Sequence, residues 1–430
     1  MERFDVGIIG AGPGGYTAAL YAARLDKKGA VFEKDCLGGT CLNKGCIPTK
    51  VLLESANLFT RIKTALSFGV ETGPAKLDFT QVNARKDAII KKLRQGIEAA
   101  FKSRGIALFK THAKLSDINA DSIIIATGSI PVELPELRFD HQRILSSDDM
   151  LELKEVPKNL LIVGAGAIGC EFATIYNSFG CDVTVAEIAD EILPGADADV
   201  AKKLRQCLTK NGIKIKTSAG VQQPGDSFEK TLVCAGRSPD TEGLGLEKTG
   251  VKTAGRRILV DEYMRTNIAN IYAIGDAANK YRLAHTASYE AMIAVDNICG
   301  KKRKADYAAV PYCVYTEPEV ASVGMTEQAA KEAGFDFKSV RFPFSALGKA
   351  HVMGYTDGFV KIIGDRKTGR LLGVHIIGPE ATAIIAEAAL AVQKGLTAEE
   401  LSRTIHAHPS LPEGIMEAAN IFTEVYLWQK

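Results

Sequence analysis

One arrangement of residues occurs twice in this chain and restricts its fold more than any other. An apolar run meets Gly-x-Gly-x-x-Gly, a helix-like stretch follows, and a second apolar run ends in an acid. The first copy is "FDVGIIGAGPGGYTAALYAARL", with Gly10, Gly12 and Gly15, then "KKGAVFEK" with Glu33. The second is "NLLIVGAGAIGCEFATIYNSFG", with Gly164, Gly166 and Gly169, then "CDVTVAEI" with Glu187. In both copies the acid stands eighteen positions after the third glycine. Such glycines serve a tight turn, close approach of a pyrophosphate, and close packing of helix on strand. The phosphates then meet a helix N-terminus, whose free N–H groups favour an anion, and the acid meets a ribose. One glycine triplet alone is a weak signal; two in matching context predict two dinucleotide-binding units. After Glu187 the chain reads "IADEILPG", with no cation to accept a 2′-phosphate, so the second unit is expected to prefer NAD to NADP.

Other segments extend the same plan. "DSIIIATGS", "KTLVCAGRSPD" and "ANIYAIGDAAN" read as apolar strands ending in glycine turns, and "HTASYEAMIAVDNIC" reads as a helix. Asp276, at the end of one such strand, has the position of either a helix cap or a ligand for a sugar hydroxyl. From "PYCVYTEPEVASVG" onward the texture changes. Strand-like "GFVKIIGD" and "RLLGVHIIG" precede helical "EATAIIAEAALAVQKG" and "TAEELSRTI", with no glycine fingerprint. The expected fold class is therefore α/β, two doubly wound Rossmann-like domains followed by a C-terminal α+β domain. The expected boundaries are 1–148, 149–268, a central segment 269–310 that completes the first site, and 311–430.

A chain of 430 residues with 46% hydrophobic residues can bury several cores. Its formal charge of +2 gives no electrostatic reason to expect nucleic acid. The start lacks the basic and apolar regions of a signal peptide, and no apolar run reaches membrane-spanning length. Nine cysteines, an odd number with no C-x-x-C pair, argue against an extracellular disulfide framework and a zinc site. Most are expected to be buried small hydrophobes.

"GGTCLNKGCIPTK" stands apart, with Cys41 and Cys46 five residues apart. A disulfide needs Cα atoms about 4.4–6.8 Å apart. An ideal helix puts residues five apart at roughly 8–9 Å. The pair can close only across a distorted backbone, and Gly45 is where distortion is cheap. Cys36 lies the same distance before Cys41, so spacing alone leaves the pairing open.

This stretch resembles the active-site signature of the flavin-dependent disulfide reductases, most closely the dihydrolipoamide dehydrogenase family. The resemblance extends over essentially the whole chain, through "GAGPGG", "IATGS", "GAGAIG", "GRSP", "YAIGDAA", "LAH" and "YTEPEVASVG" to the closing "HAHPSLPE". It implies that Gly10, Gly12, Gly15 and Glu33 hold FAD, with Lys50, Ala113, Gly128, Asp276 and Ala284. It implies that Gly164, Gly166, Gly169, Glu187, Gly236 and Arg237 hold NAD. Cys41 is implied as the thiol that meets substrate, Cys46 as the thiol against the flavin, His408 as the base and Glu413 as its orienting acid. The likeness implies a cytoplasmic or mature mitochondrial homodimer whose histidine serves the neighbouring subunit. Its partners would be the lipoyl domains of 2-oxo-acid dehydrogenase or glycine-cleavage complexes. His406 reads as structural.

The chain departs from the family pattern in two shortened regions, before "SIIIATG" and within "GVQQPGDSFEK", and in Ser410 and Pro412. The alternatives are a glutathione- or mercuric-reductase-like enzyme, or a non-catalytic subunit of a multienzyme complex. No cysteine follows Cys313, against a mercuric reductase. Glu187 is against the NADP preference of a glutathione reductase, and the retained thiols, base and acid are against a structural subunit.

Overall fold

The computed structural model describes residues 2–220 and 227–425. Its chain forms two compact units, each assembled from three stretches. The first combines Met1–Leu52, Asp78–Glu155 and Cys234–Ala305; the second combines Leu53–Leu77, Val156–Val233 and Asp306–Lys430. Residues 234–268, grouped in the sequence with the second fingerprint, therefore cluster with the first.

The first unit is built on a parallel sheet in the order Ile271–Ala273, Ala120–Ile125, Phe4–Ile9, Gly29–Glu33, Ala107–Lys110. The central strand carries the first fingerprint at its C-terminal end. Val6 and Ile8 are fully buried, as a strand covered on both faces requires. Helix Pro13–Arg24 follows at once and lays Ala18, Ala19 and Ala22 into the same core as Ala291 and Ala294 of helix Ala284–Ile298. Alanines on both helices keep the packed surfaces thin. Gly15 serves the approach of helix to strand, since a Cβ there would lie 1.9 Å from the Gly10 carbonyl oxygen.

The second unit contains four parallel strands in the order Lys230–Val233, Asn159–Val163, Asp182–Ala186, Lys214–Lys216. Helix Ala167–Ser178 leaves the second fingerprint and buries eight of its residues. The same unit holds an antiparallel sheet in the order Tyr312–Val314, Glu319–Gly324, Leu371–Gly378, Phe359–Asp365, Phe337–Pro343. Strand Leu371–Gly378 is buried along its whole length. Ile384, Ala388 and Val392 of helix Ala381–Lys394 share a core with Val374 and Ile376, and Ile415 and Ala419 of helix Glu413–Phe422 complete it. This is the α+β unit expected from the change in texture.

The first shortened region is compact. Strand Ala107–Lys110 is followed by a single 3-10 turn, Leu115–Asp117, and the chain re-enters the sheet at Ala120. The core of the second, Val221–Asp226, lies outside the described residues. No helix among the described residues is long and apolar enough to cross a membrane.

Candidate active site

The two fingerprints have the same local geometry. Gly12 and Gly166, the caps of their helices, share φ −71° and ψ −173°. Gly10 N–H donates to the Phe32 carbonyl and Gly164 N–H to the Ala186 carbonyl, each at 2.8 Å. Both acids are buried and both carboxylates bridge back to the glycine loop. Glu33 accepts from Ala11 N–H at 2.7 Å and Asp35 N–H at 2.8 Å. Glu187 accepts from Ala165 N–H at 2.6 Å and Ala189 N–H at 2.9 Å. Each carboxylate is fixed at the mouth of its loop and keeps lone pairs for ribose hydroxyls.

In the first unit one pocket brings together Gly10, Glu33 and Ala113, three positions expected to hold FAD, with Thr127 and Asp240. Thr127 Oγ1 is buried without a hydrogen-bond partner, and so is Thr286 Oγ1, two residues into the helix that begins at Ala284. Orphaned hydroxyls beside a glycine loop call for a polar ligand, and a flavin dinucleotide fits that demand. In the second unit a Cβ at Gly166 would meet nothing within 4 Å, leaving room for a pyrophosphate at that helix start. The residues present therefore fit both dinucleotides.

Asp276 does not cap the following helix, whose cap is Leu283 with no side-chain bond. It sits in the turn Gly275–Ala277 and accepts from Ser129 Oγ at 2.6 Å. Gly128, directly before that serine, has φ +74° and accepts from Asp240 N–H at 2.9 Å. Ser129 and Thr127 were missed as site residues by the sequence reading; their signal was the glycine turn of "IATGS", which shows a strand end but no side-chain partner.

The thiol pair lies in the same unit. Helix Gly39–Lys44 stops at Gly45, and a new helix starts at Cys46. A Cβ at Gly45 would stand 3.0 Å from the Thr40 carbonyl oxygen. The break brings the Cys41 and Cys46 thiols into hydrogen-bonding contact, so the structure selects this pair over Cys36. That contact, more than burial, pushes the Cys41 thiol well above the usual range, while the Lys50 ammonium works the other way. Burial, then the charges of Cys41 and Cys46, raise the Tyr16 phenol above its ordinary value.

His408 and Glu413 meet in the second unit. His408 Nδ1 lies 2.7 Å from Glu413 Oε1, and Glu413 Oε2 accepts from Ser410 N–H at 2.6 Å. The carboxylate holds the proton on Nδ1 and leaves Nε2 as the basic nitrogen. The His408 side chain is 77% exposed, while Glu413 is 13% exposed. Pro412 carries helical dihedrals directly before helix Glu413–Phe422, which sets the first-turn glutamate under its histidine. His406 is different: its ring nitrogens face the Thr404 carbonyl at 2.8 Å and Glu387 Oε1 at 2.9 Å, a structural role.

Gly236 and Arg237, read from the sequence as NAD contacts, belong to the first unit. The Arg237 side chain is bonded to Ser129.

Comparison with known proteins agrees with this geometry. The family model for pyridine nucleotide-disulphide oxidoreductases matches residues 4–291, and the dimerisation domain of the same family matches 310–419. A dihydrolipoyl dehydrogenase of Bacillus subtilis is 42% identical over 97% of each chain. That alignment runs to 461 positions, more than this chain has, consistent with its trimmed segments. The mitochondrial dihydrolipoyl dehydrogenase of Pisum sativum is 41% identical over 97% of this chain and 91% of its own. Among solved structures, LpdA of Mycobacterium tuberculosis superposes with a TM-score of 0.89 at 29% identity, covering 98% of this chain and 99% of its own. The HOCl-induced flavoprotein disulfide reductase RclA of Escherichia coli, as its Cu(II) complex, gives 0.88 at 29% identity, with 98% and 100% covered. Two dinucleotide fingerprints, a thiol pair across a helix break, a histidine–glutamate pair and a dimerisation domain thus occur together, and the chain belongs to the pyridine nucleotide-disulphide oxidoreductases, which work with FAD and NAD(H).

Proposed function

We propose that the protein oxidises protein-bound dihydrolipoamide to lipoamide and reduces NAD⁺, as the names of its relatives indicate for them. The observation that carries this reading is the contact of Cys41 with Cys46 across Gly45, in the unit that also holds the first fingerprint. His408 of the partner subunit removes a proton from one substrate thiol, and the resulting thiolate attacks Cys41 of the oxidised pair. The Cys41–Cys46 bond breaks, a mixed disulfide forms, and Cys46 leaves as thiolate. The second substrate thiol then attacks the substrate sulfur of the mixed disulfide, closing lipoamide and releasing Cys41; His408 gives its proton to Cys41, takes the proton of the attacking thiol and passes it to solvent. FAD, when bound, supplies the two-electron path from the thiol pair to NAD⁺. The sum is dihydrolipoamide plus NAD⁺ giving lipoamide, NADH and one proton.

Only a thiolate is nucleophilic, so a base beside a thiol of pKa near 8.5 is needed at neutral pH. Glu413 keeps that base in one tautomer. Gly10, Gly12, Gly15, Glu33, Ala113, Gly128, Asp276 and Ala284 hold FAD with Lys50; Gly164, Gly166, Gly169 and Glu187 hold NAD. The partners are lipoyl domains, and the setting is the cytoplasm.

The test is turnover of dihydrolipoamide with NAD⁺, followed by NADH absorbance, in wild type and Cys46→Ser. Wild type is expected to turn over and to show a long-wavelength thiolate–flavin band on partial reduction, and the variant to lose both. Normal turnover by Cys46→Ser would overturn the mechanism.

A further inference from the structure

The first unit contains a second pocket, of about 350 Å³, whose wall includes Arg256, Arg257, Lys280 and Arg282 with Ser238 and Pro239. It shares no residue with the pocket of Gly10, Glu33 and Ala113, and no position assigned to FAD or NAD lines it. Four cations and no carboxylate face this one space, while the whole chain has a formal charge of only +2. Glu242 pairs with Arg256 at 3.1 Å from outside the wall. Arg257, Lys280 and Arg282 have no ion-pair partner among the described residues.

Both segments that supply these cations are fixed from beneath. Asn279 Oδ1 accepts from Tyr281 N–H at 2.7 Å and Arg282 N–H at 3.3 Å, while its Nδ2 donates to Glu290 Oε1 at 2.5 Å. Glu290 is fully buried and also accepts from Gly275 N–H at 2.7 Å. This anchor holds Arg282 at φ +53°, a conformation uncommon for a side chain with a Cβ. On the other side, Ala254 pairs with Arg257 across a tight hairpin turn, in which Gly255 has φ +60°. Arg256 Nε donates to the Pro239 carbonyl at 3.1 Å, and the Arg256 carbonyl accepts from Thr241 Oγ1 at 2.7 Å. The backbone is thus set before any ligand arrives, which lowers the entropy cost of binding.

We propose that this pocket binds a compact small molecule carrying two phosphate groups, at a site separate from both dinucleotide sites. The volume lies within the range of small-molecule pockets, about 300–1,000 Å³. Guanidinium forks match phosphate oxygens two at a time. Each phosphate group brings about −1.5 to −2 charges at pH 7, so two of them balance the unpaired cations and a single carboxylate does not. Pro239 and Ala254 are the apolar residues of the wall, and no aromatic ring lines it. A nucleobase therefore has nothing to stack on, and the phosphates are the part recognised.

The experiment titrates inorganic pyrophosphate into the FAD-loaded protein by calorimetry, with NAD⁺ saturating, in wild type, Arg257→Gln and Arg282→Gln. Citrate and a poly-glutamate peptide are titrated in parallel. Wild type is expected to bind one pyrophosphate per subunit, more tightly than citrate, and each variant to bind it about tenfold more weakly or worse. Both arginines are exposed, so FAD content and melting temperature should match wild type and exclude misfolding as the cause. Absence of saturable binding, or wild-type affinity in both variants, would overturn the proposal. Binding that appears only when NAD⁺ is left out would place the anion at the nucleotide site and overturn it too. Equal affinity for citrate would remove the preference for phosphate, and binding of the peptide without pyrophosphate would assign the face to an acidic protein; either result rejects the proposal.

Discussion

Single side chains carry the proton chemistry. A general base placed for proton transfer is worth about 10²–10⁴ in rate. His408→Gln is therefore expected to lower kcat for dihydrolipoamide by that order, read by NADH formation under saturating substrate. Glu413→Gln keeps the shape but weakens the hold on Nδ1, which lies 2.7 Å away. Its kcat should fall by roughly tenfold, less than the loss of the base itself. Equal losses in the two variants would mean that Glu413 does more than orient. His408 and Glu413 were singled out in "HAHPSLPE" by its likeness to the family's closing motif, and the helix start at Glu413 sets the spacing of this local pair. Arg237 was legible only as part of "GRSP"; its bond to Ser129, 108 residues away in sequence, has no local signal.

At the scale of elements, the turn from strand to helix decides whether a dinucleotide can bind. Gly15 has no room for a side chain, since a Cβ would fall 1.9 Å from the Gly10 carbonyl oxygen. Gly15→Ala must push helix Pro13–Arg24 off its strand. Overpacking of this kind costs about 1–3 kcal/mol, and the glycine loop that accepts the pyrophosphate shifts with the helix. The purified variant is expected to lose its yellow flavin absorbance and to melt below wild type by calorimetry. Retention of full FAD occupancy would show that the close contact is dispensable. The helix break at Gly45 belongs to the same class of feature. Its existence could be anticipated from five-residue spacing beside a glycine, but the choice of Cys46 over Cys36 as partner needed the path of the chain.

At the scale of the whole molecule, long-range charge holds parts of the second unit together. Lys361, 1% exposed, contacts Asp197 at 2.9 Å, Asp199 at 2.8 Å and Glu327 at 2.9 Å. Asp197 also caps helix Ala198–Lys210, so one ammonium joins that helix to strand Phe359–Asp365. Burial pulls the Lys361 ammonium down, but Asp199, Asp197 and Glu327 outweigh it and leave its pKa above the usual lysine range. Removing the cation strands Asp197, itself 2% exposed, without a counter-charge. Lys361→Met is expected to destabilise by about 3–5 kcal/mol in denaturant unfolding, the usual cost of breaking a buried pair. A near-neutral result would show that water reaches the cluster when the lysine is gone.

The residues by themselves determined the two fingerprint units and the different C-terminal α+β texture, while the thiols, base and acid were singled out by resemblance to the family. Fingerprints and texture rest on backbone demands or spacings that act within a few turns of chain, such as a glycine where no Cβ fits or an acid at the end of the next strand. Tertiary structure alone decided that residues 234–305 cluster with the first fingerprint, that Arg237 bonds to Ser129, and that Lys361 gathers three carboxylates. Those outcomes depend on groups far apart in the chain, more than a hundred residues for all but the contact of Lys361 with Glu327. Their meeting is set by how whole sheets and helices bury their apolar faces, which leaves no periodic trace in the sequence around any one of them.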